Sequence, residues 1–382
     1  MQRSETRSRA VWKSRVALLA TTMIIIGACS SGTPTASPAA ATTAPSAAAS
    51  AAPSAAASEP AGSAAAQSLP PAPQPPEGVV EFQQATPGSG TGMKIGFINL
   101  TLASTFPQQV QKSIEDQIKI AGAALVSCDS KLDAATALNC AKTLKQQGVQ
   151  GQFTFQADST AAARICQEGA QVPVFAVDIA QEPCQVAFMG AANQYAGQIL
   201  GYELGKYFLQ NEKCQYDAWV SLEALQVGAV NEARMGGIRD GFASVCGPVH
   251  DIHTLDSKGA GSDIARGLMA DTLTALPNAH KIITVGINED AIIGAIAAAR
   301  AANRDGDLYL GVQNFAPTNC VIYQAPHWIG SVAYFPERYG EILVPYMIKA
   351  IKGETVPKEL LVPHVLINKD NAKQYYPEYS CS

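Results

Sequence analysis

The stretch Lys94-Ile95-Gly96-Phe97-Ile98-Asn99-Leu100 decides how this chain reads. It is apolar at nearly every position, so both of its faces need cover, as in a strand inside a parallel sheet. Residues 107–121 follow with Val110, Ile114 and Ile118 spaced by four, the period of a helix with one buried face. The alternation then continues. Strand-like runs lie at 124–128, 151–155, 172–178, 186–190, 218–222, 281–288 and 308–313, with helical runs at 135–147, 195–209, 229–243 and 291–302. Apolar strands separated by helices predict an α/β fold with parallel sheets covered on both faces. The units are too many for one small sheet, and the region of Asn193 divides them into similar halves, so two doubly wound lobes are expected.

Upstream of Met93 the composition changes abruptly. Arg3, Arg7, Arg9, Lys13 and Arg15 form a positive head, and residues 16–26 form an apolar stretch of signal-peptide length. The stretch runs into Ile26-Gly27-Ala28-Cys29, which looks like a bacterial lipobox, in which the cysteine is lipidated and the signal, here residues 1–28, is removed. Acyl chains anchor because each buried methylene contributes about 0.8 kcal/mol. Residues 29–92 are then read as a lipidated Cys29 and a disordered tether of Ala, Pro, Ser and Thr, stiffened by the proline-rich run at 69–76.

The chain has 382 residues and a formal net charge of −5, which argues against nucleic acid as a partner, since phosphate binding needs a concentrated basic face. No run reaches the roughly 20 apolar residues of a membrane-spanning helix. Beyond Cys29 the cysteines are Cys128, Cys140, Cys166, Cys184, Cys214, Cys246, Cys320 and Cys381. An even set in an exported chain suggests disulfides, and sequence neighbours suggest 128–140, 166–184, 214–246 and 320–381 among roughly 105 connectivities. With no CxxC pair, a structural metal site is the weaker reading.

In open parallel sheets ligands bind beyond the carboxyl ends of the strands. The residues there are 101–106, 155–158, 178–179, 288–290 and 313–314, mostly polar and uncharged with aromatics nearby. Amides and carboxylates hydrogen-bond hydroxyls while rings cover C–H faces, so these positions suit a neutral, hydroxyl-rich small molecule.

Four segments carry a family likeness: Val177-Asp178; Asn231-Glu232-Ala233-Arg234-Met235-Gly236-Gly237-Ile238-Arg239-Asp240-Gly241-Phe242; Gly286-Ile287-Asn288-Glu289-Asp290; and Gly330-Ser331-Val332-Ala333-Tyr334-Phe335-Pro336. In order and spacing they resemble the type I periplasmic binding proteins, specifically the ribose-binding-like sugar-binding lipoproteins of ABC importers, over about residues 93–376. The resemblance implies a first lobe of 93–192 plus 335–362 and a second of 193–334 plus 363–382. It implies that Phe106 stacks on a sugar and Asp178 accepts its hydroxyl protons in the first lobe. Arg234, Asn288 and Gln313 would contact it from the second lobe, with Tyr334 at the hinge. Its implied partners are a small sugar or polyol, the permease and ATPase subunits of an importer, and the membrane through the lipid anchor. No cofactor or metal is implied, and a monomer is expected. Ile179 stands where pentose binders often carry Arg, Gln313 where an Asp is expected, and Tyr334 where an amide is common, which points away from ribose toward another sugar, a polyol or a cyclic polyol.

Each position also has a plain structural role open to it: Phe106 as a helix staple, Asp178 as a turn cap, Asn288 as an N-cap, Tyr334 as a buried hinge tyrosine. Catalysis finds little support. There is no G-x-S-x-G elbow and no phosphate loop, and His250-x-x-His253 lacks a third ligand. A non-enzymatic, extracytoplasmic binding protein is the expectation, with a sensor lipoprotein reporting to a kinase or chemoreceptor as its rival and a lipid-anchored hydrolase behind both.

Overall fold

The computed structural model describes residues 69–156, 159–258 and 261–381. Cys29, the signal sequence, the tether up to residue 68 and the strand-end Asp158 therefore lie outside the described residues.

The first lobe carries β1 (Lys94–Asn99), α1 (Thr105–Ala121), β2 (Ala124–Asp129), α2 (Ala134–Gln146), β3 (Gly151–Thr154), α3 (Ala162–Glu168), β4 (Val174–Val177) and β5 (Gln185–Ala191). The chain then crosses into α4 (Asn193–Glu212), β6 (Ala218–Glu223), α5 (Ala229–Cys246), β7 (Ile252–Asp256), α6 (Gly261–Ala275), β8 (Ile282–Gly286), α7 (Glu289–Ala301), β9 (Leu308–Gln313), α8 (Cys320–Tyr323) and β10 (His327–Ala333). It returns for α9 (Gly340–Ile351) and β11 (Glu359–Val362), then crosses again for β12 (Val365–Ile367) and α10 (Ala372–Tyr375). The two six-stranded sheets run β11-β5-β4-β3-β1-β2 and β12-β10-β9-β8-β6-β7. The first is parallel throughout, and in the second only β12 is antiparallel.

The elements follow from their residues. β6 and β9 are buried along their whole length because helices cover both faces. α1 turns Val110, Ile114, Ile118 and Ala121 inward and ends at Gly122, whose φ of 70° closes the helix in the left-handed region. All four neighbouring cysteine pairs are bonded: Cys128–Cys140, Cys166–Cys184, Cys214–Cys246 and Cys320–Cys381.

One boundary differs from the sequence reading. Residues 78–92 are not tether but part of the first lobe. Val79 bridges Leu361 on β11, Phe82 meets Phe335 edge-on at 5.7 Å, and Ala85 is buried with its N–H donating to Gln117 Oε1 at 2.7 Å. The average over an Ala/Pro/Ser/Thr-rich stretch masked the local apolar cluster Val79-Val80-Glu81-Phe82.

The lobes are joined by three crossings, at residues 191–193, 333–340 and 362–365. His364, on the third, ties them together. Its Nε2 accepts the Ala192 N–H at 3.1 Å and its Nδ1 lies 3.0 Å from the Ala333 carbonyl, so the neutral ring donates from Nδ1. Burial lowers its pKa to about 4, keeping the ring in that neutral form.

Candidate functional site

The strand ends of both sheets converge at these crossings. Asp178 directly follows β4 and adopts φ 56°, a left-handed conformation that Asp tolerates better than most residues. This bend sets it against Gly190 of β5, where a Cβ would lie 2.7 Å from Asp178 Oδ1. Its carboxylate accepts from Tyr339 Oη at 3.1 Å. Burial raises the Asp178 pKa to about 6, partly countered by the charge of Arg234 from the other lobe.

Arg234 is placed by two glycine-lined helices. A Cβ on Gly201 of α4 would collide with the Ile238 carbonyl, and one on Gly237 of α5 with the Gln194 carbonyl, so the backbones touch. This contact sets Arg234 beside the first residue of α4. Its Nε and Nη2 donate to Asn193 Oδ1 at 3.0 and 2.7 Å, and Nη1 donates to the Ile287 carbonyl at 2.9 Å. The guanidinium lies 4.8 Å over the Tyr334 ring, a cation–π contact.

Tyr334 donates to Gln313 Oε1 at 2.7 Å and meets His364 edge-on at 4.6 Å, and burial pushes its pKa up to about 12. On the first-lobe side Phe106 meets Tyr339 at 5.7 Å and Phe155 at 6.4 Å. Asn288 caps α7 by accepting the Ala291 N–H at 3.0 Å, one residue beyond the carbonyl that Arg234 holds. Behind it, the buried Glu289 carboxylate accepts from Asn314 Nδ2, the Ala316 N–H and Tyr323 Oη, each at 2.8 Å, and so fixes the loop after β9.

The structure thus brings Phe106, Asp178, Arg234, Gln313 and Tyr334 into one connected cluster, with Asn288 at its edge. Sequence reading missed three members. Tyr339 and Asn193 hold the two charged groups, and His364 backs the cluster. Only the helix-start position of Asn193 carried a local signal. His250, by contrast, stacks on Tyr216 at 4.2 Å, and no group of three metal-ligating side chains occurs among the described residues.

One carboxylate and one guanidinium offset each other between aromatic walls at the junction of two hinged lobes, which is the architecture of a two-lobed binding protein. The chain matches the periplasmic binding protein domain over residues 95–355 and belongs to that family. Comparison with curated proteins by sequence returns no match. Its fold resembles an ABC transporter solute-binding protein from Mycobacterium smegmatis with bound glycerol, at 20% identity, 75% of this chain and 96% of that one, and a TM-score of 0.65. A solute-binding protein from Bacillus halodurans C-125 with bound myo-inositol matches at 17% identity over 76% and 99% of the two chains, with a TM-score of 0.65. One from Actinobacillus succinogenes 130z with bound D-allose matches at 17% identity over 74% and 100%, with a TM-score of 0.63.

Proposed function

We propose that this chain is an extracytoplasmic solute-binding protein that captures a small, neutral, hydroxylated molecule, a sugar or polyol, and delivers it to an ABC importer. The observation that carries the reading is the polar and aromatic cluster at the crossings, with Asp178 bonded to Tyr339 and Arg234 bonded to Asn193 and the Ile287 carbonyl. Asp178 accepts hydroxyl protons, Arg234 donates, and their charges offset, so a neutral solute leaves no buried net charge. Phe106, Tyr334 and Tyr339 supply faces for C–H groups, and Asn288 and Gln313 supply amides. Solute-binding proteins of similar fold hold glycerol, myo-inositol and D-allose. Solute bonded to both lobes favours the closed form, and closure is driven only by the extra affinity for that form. The role is binding without catalysis. The lipobox at Cys29 supports anchoring to the membrane by lipid, with a monomer engaging the permease and its ATPase subunits.

A thermal-shift panel of pentoses, hexoses, polyols, inositols, nucleosides and amino acids tests this. A solute at 100 times its Kd adds about 2.7 kcal/mol to the native state, or several degrees at about 2–4 °C per kcal/mol. One selective hit among sugars or polyols is the expected result. A flat panel on protein unfolded and refolded to remove co-purified solute would overturn the reading.

A further inference from the structure

Residues 69–92 precede the segment matched by the family, and they touch both lobes. The Pro70 carbonyl accepts from Tyr202 Oη at 2.8 Å, and Tyr202 belongs to α4 of the second lobe. Eight residues later the chain is fixed to the first lobe. The Leu361 N–H donates to the Gly78 carbonyl at 2.8 Å and the Val80 N–H donates to the Leu361 carbonyl at 2.9 Å, so residues 78–80 extend the first sheet beyond β11. Phe82 then lies edge-on to Phe335 of the second crossing, under the Arg338 guanidinium at 4.1 Å. The Gly90 N–H donates to the Ala121 carbonyl at 2.8 Å, completing the attachment to α1.

From the first attachment at Pro70 the chain continues through Pro71, Pro73, Pro75 and Pro76 to the second. Such a run is extended and semi-rigid at about 3.1 Å per residue and does not stretch. Rotation of one lobe against the other moves α4 relative to β11, and a strap of fixed length joined to both must release one end. The weaker end is at Pro70, where one hydrogen bond holds it, against two ladder bonds, an aromatic contact and a cation–π contact at the other. We propose that residues 69–92 are a strap: the proline run latches the second lobe to the first and biases the protein toward the arrangement of lobes in which both ends are attached. The bias acts on the lobe motion of the solute-capture reading, yet it is measurable without any solute.

The test uses the full chain carrying a dye pair on non-natural residues at Leu102 and Leu225, exposed positions in the loops after β1 and β6. Energy transfer is compared in the parent chain, Tyr202→Phe and a deletion of residues 69–76. Loss of one hydrogen bond should lower the ratio of latched to unlatched lobe arrangements without solute about two- to tenfold in Tyr202→Phe, and at least as much in the deletion. Unchanged melting temperatures would confirm that the lobes stay folded. Dye distances identical in all three proteins would overturn the strap. A solute panel without a hit would sink the capture reading while leaving this distance measurement intact.

Discussion

Asp178→Asn should make the solute-free protein more stable and the solute-binding protein worse. The folded carboxyl titrates at about 6 against 3.8 for the free group, net of the attraction from Arg234. The native state therefore binds the proton more tightly than the unfolded chain, and stability falls as pH rises from about 4 to 6. Above that window the penalty is full, about 3 kcal/mol at 1.36 kcal/mol per tenfold. Asp178 retains some solvent contact, which brings the working value to about 1–3 kcal/mol. Asparagine mimics the protonated acid, still accepts from Tyr339, and suits the left-handed backbone at this position. Calorimetry without solute should show the variant melting about 2–6 °C higher at pH 7.5, with the gap closing below pH 4. The same variant should bind the hit of the solute panel about tenfold more weakly, because a neutral acceptor replaces a charged one. A variant less stable than the parent at pH 7.5, or a gap independent of pH, would refute the reasoning and show that Arg234 more than offsets the burial.

His364 slopes the other way. Its folded pKa of about 4 lies below the ordinary 6.5, so stability is lost as pH falls from 6.5 to 4, by about 3 kcal/mol. In His364→Gln, which keeps a donor and an acceptor, denaturant titrations should show the parent's advantage shrinking across that window. Between about pH 4 and 6 the contributions of Asp178 and His364 oppose each other. Arg234→Lys cannot span Asn193, the Ile287 carbonyl and the Tyr334 face together; calorimetric titration should show solute affinity reduced about tenfold or more, with circular dichroism unchanged. Gly201→Ala drives a methyl into the Ile238 carbonyl and should cost about 1–3 kcal/mol, whereas Gly236→Ala, which meets nothing within 4 Å, should be neutral or slightly stabilising in the same melts.

The sheet cores were legible because strands buried on both faces are apolar along most of their length, as in β1, β6 and β9. β7 was not, since it is an outer strand with exposed Ile252 and a mixed pattern. β11 and β12, with four and three residues, are too short to show a period. Asp178, Arg234, Asn288 and Gln313 could be found because each sits at a strand's end or in a family segment. Tyr339 and His364 could not, since their roles arise where three crossings of the chain converge, a coincidence with no local signature, and Asn193 showed only its place at a helix start. Gly197, Gly201 and Gly205 of α4 did not stand out in the sequence, and their role, backbone contact with α5 that seats Arg234, belongs to the pair of helices and to neither alone.

The covalent cross-links have a consequence for motion. Each of the four disulfides among the described residues joins two cysteines of the same lobe, Cys128–Cys140 and Cys166–Cys184 in the first and Cys214–Cys246 and Cys320–Cys381 in the second, although the loop closed by the last runs out through α9 and β11 of the first lobe. None staples one lobe to the other. Oxidation therefore stiffens each half as a body while leaving the angle between them unrestrained by any covalent cross-link. Reduction of these bonds should blur the walls of the cleft before it alters the travel of its two jaws.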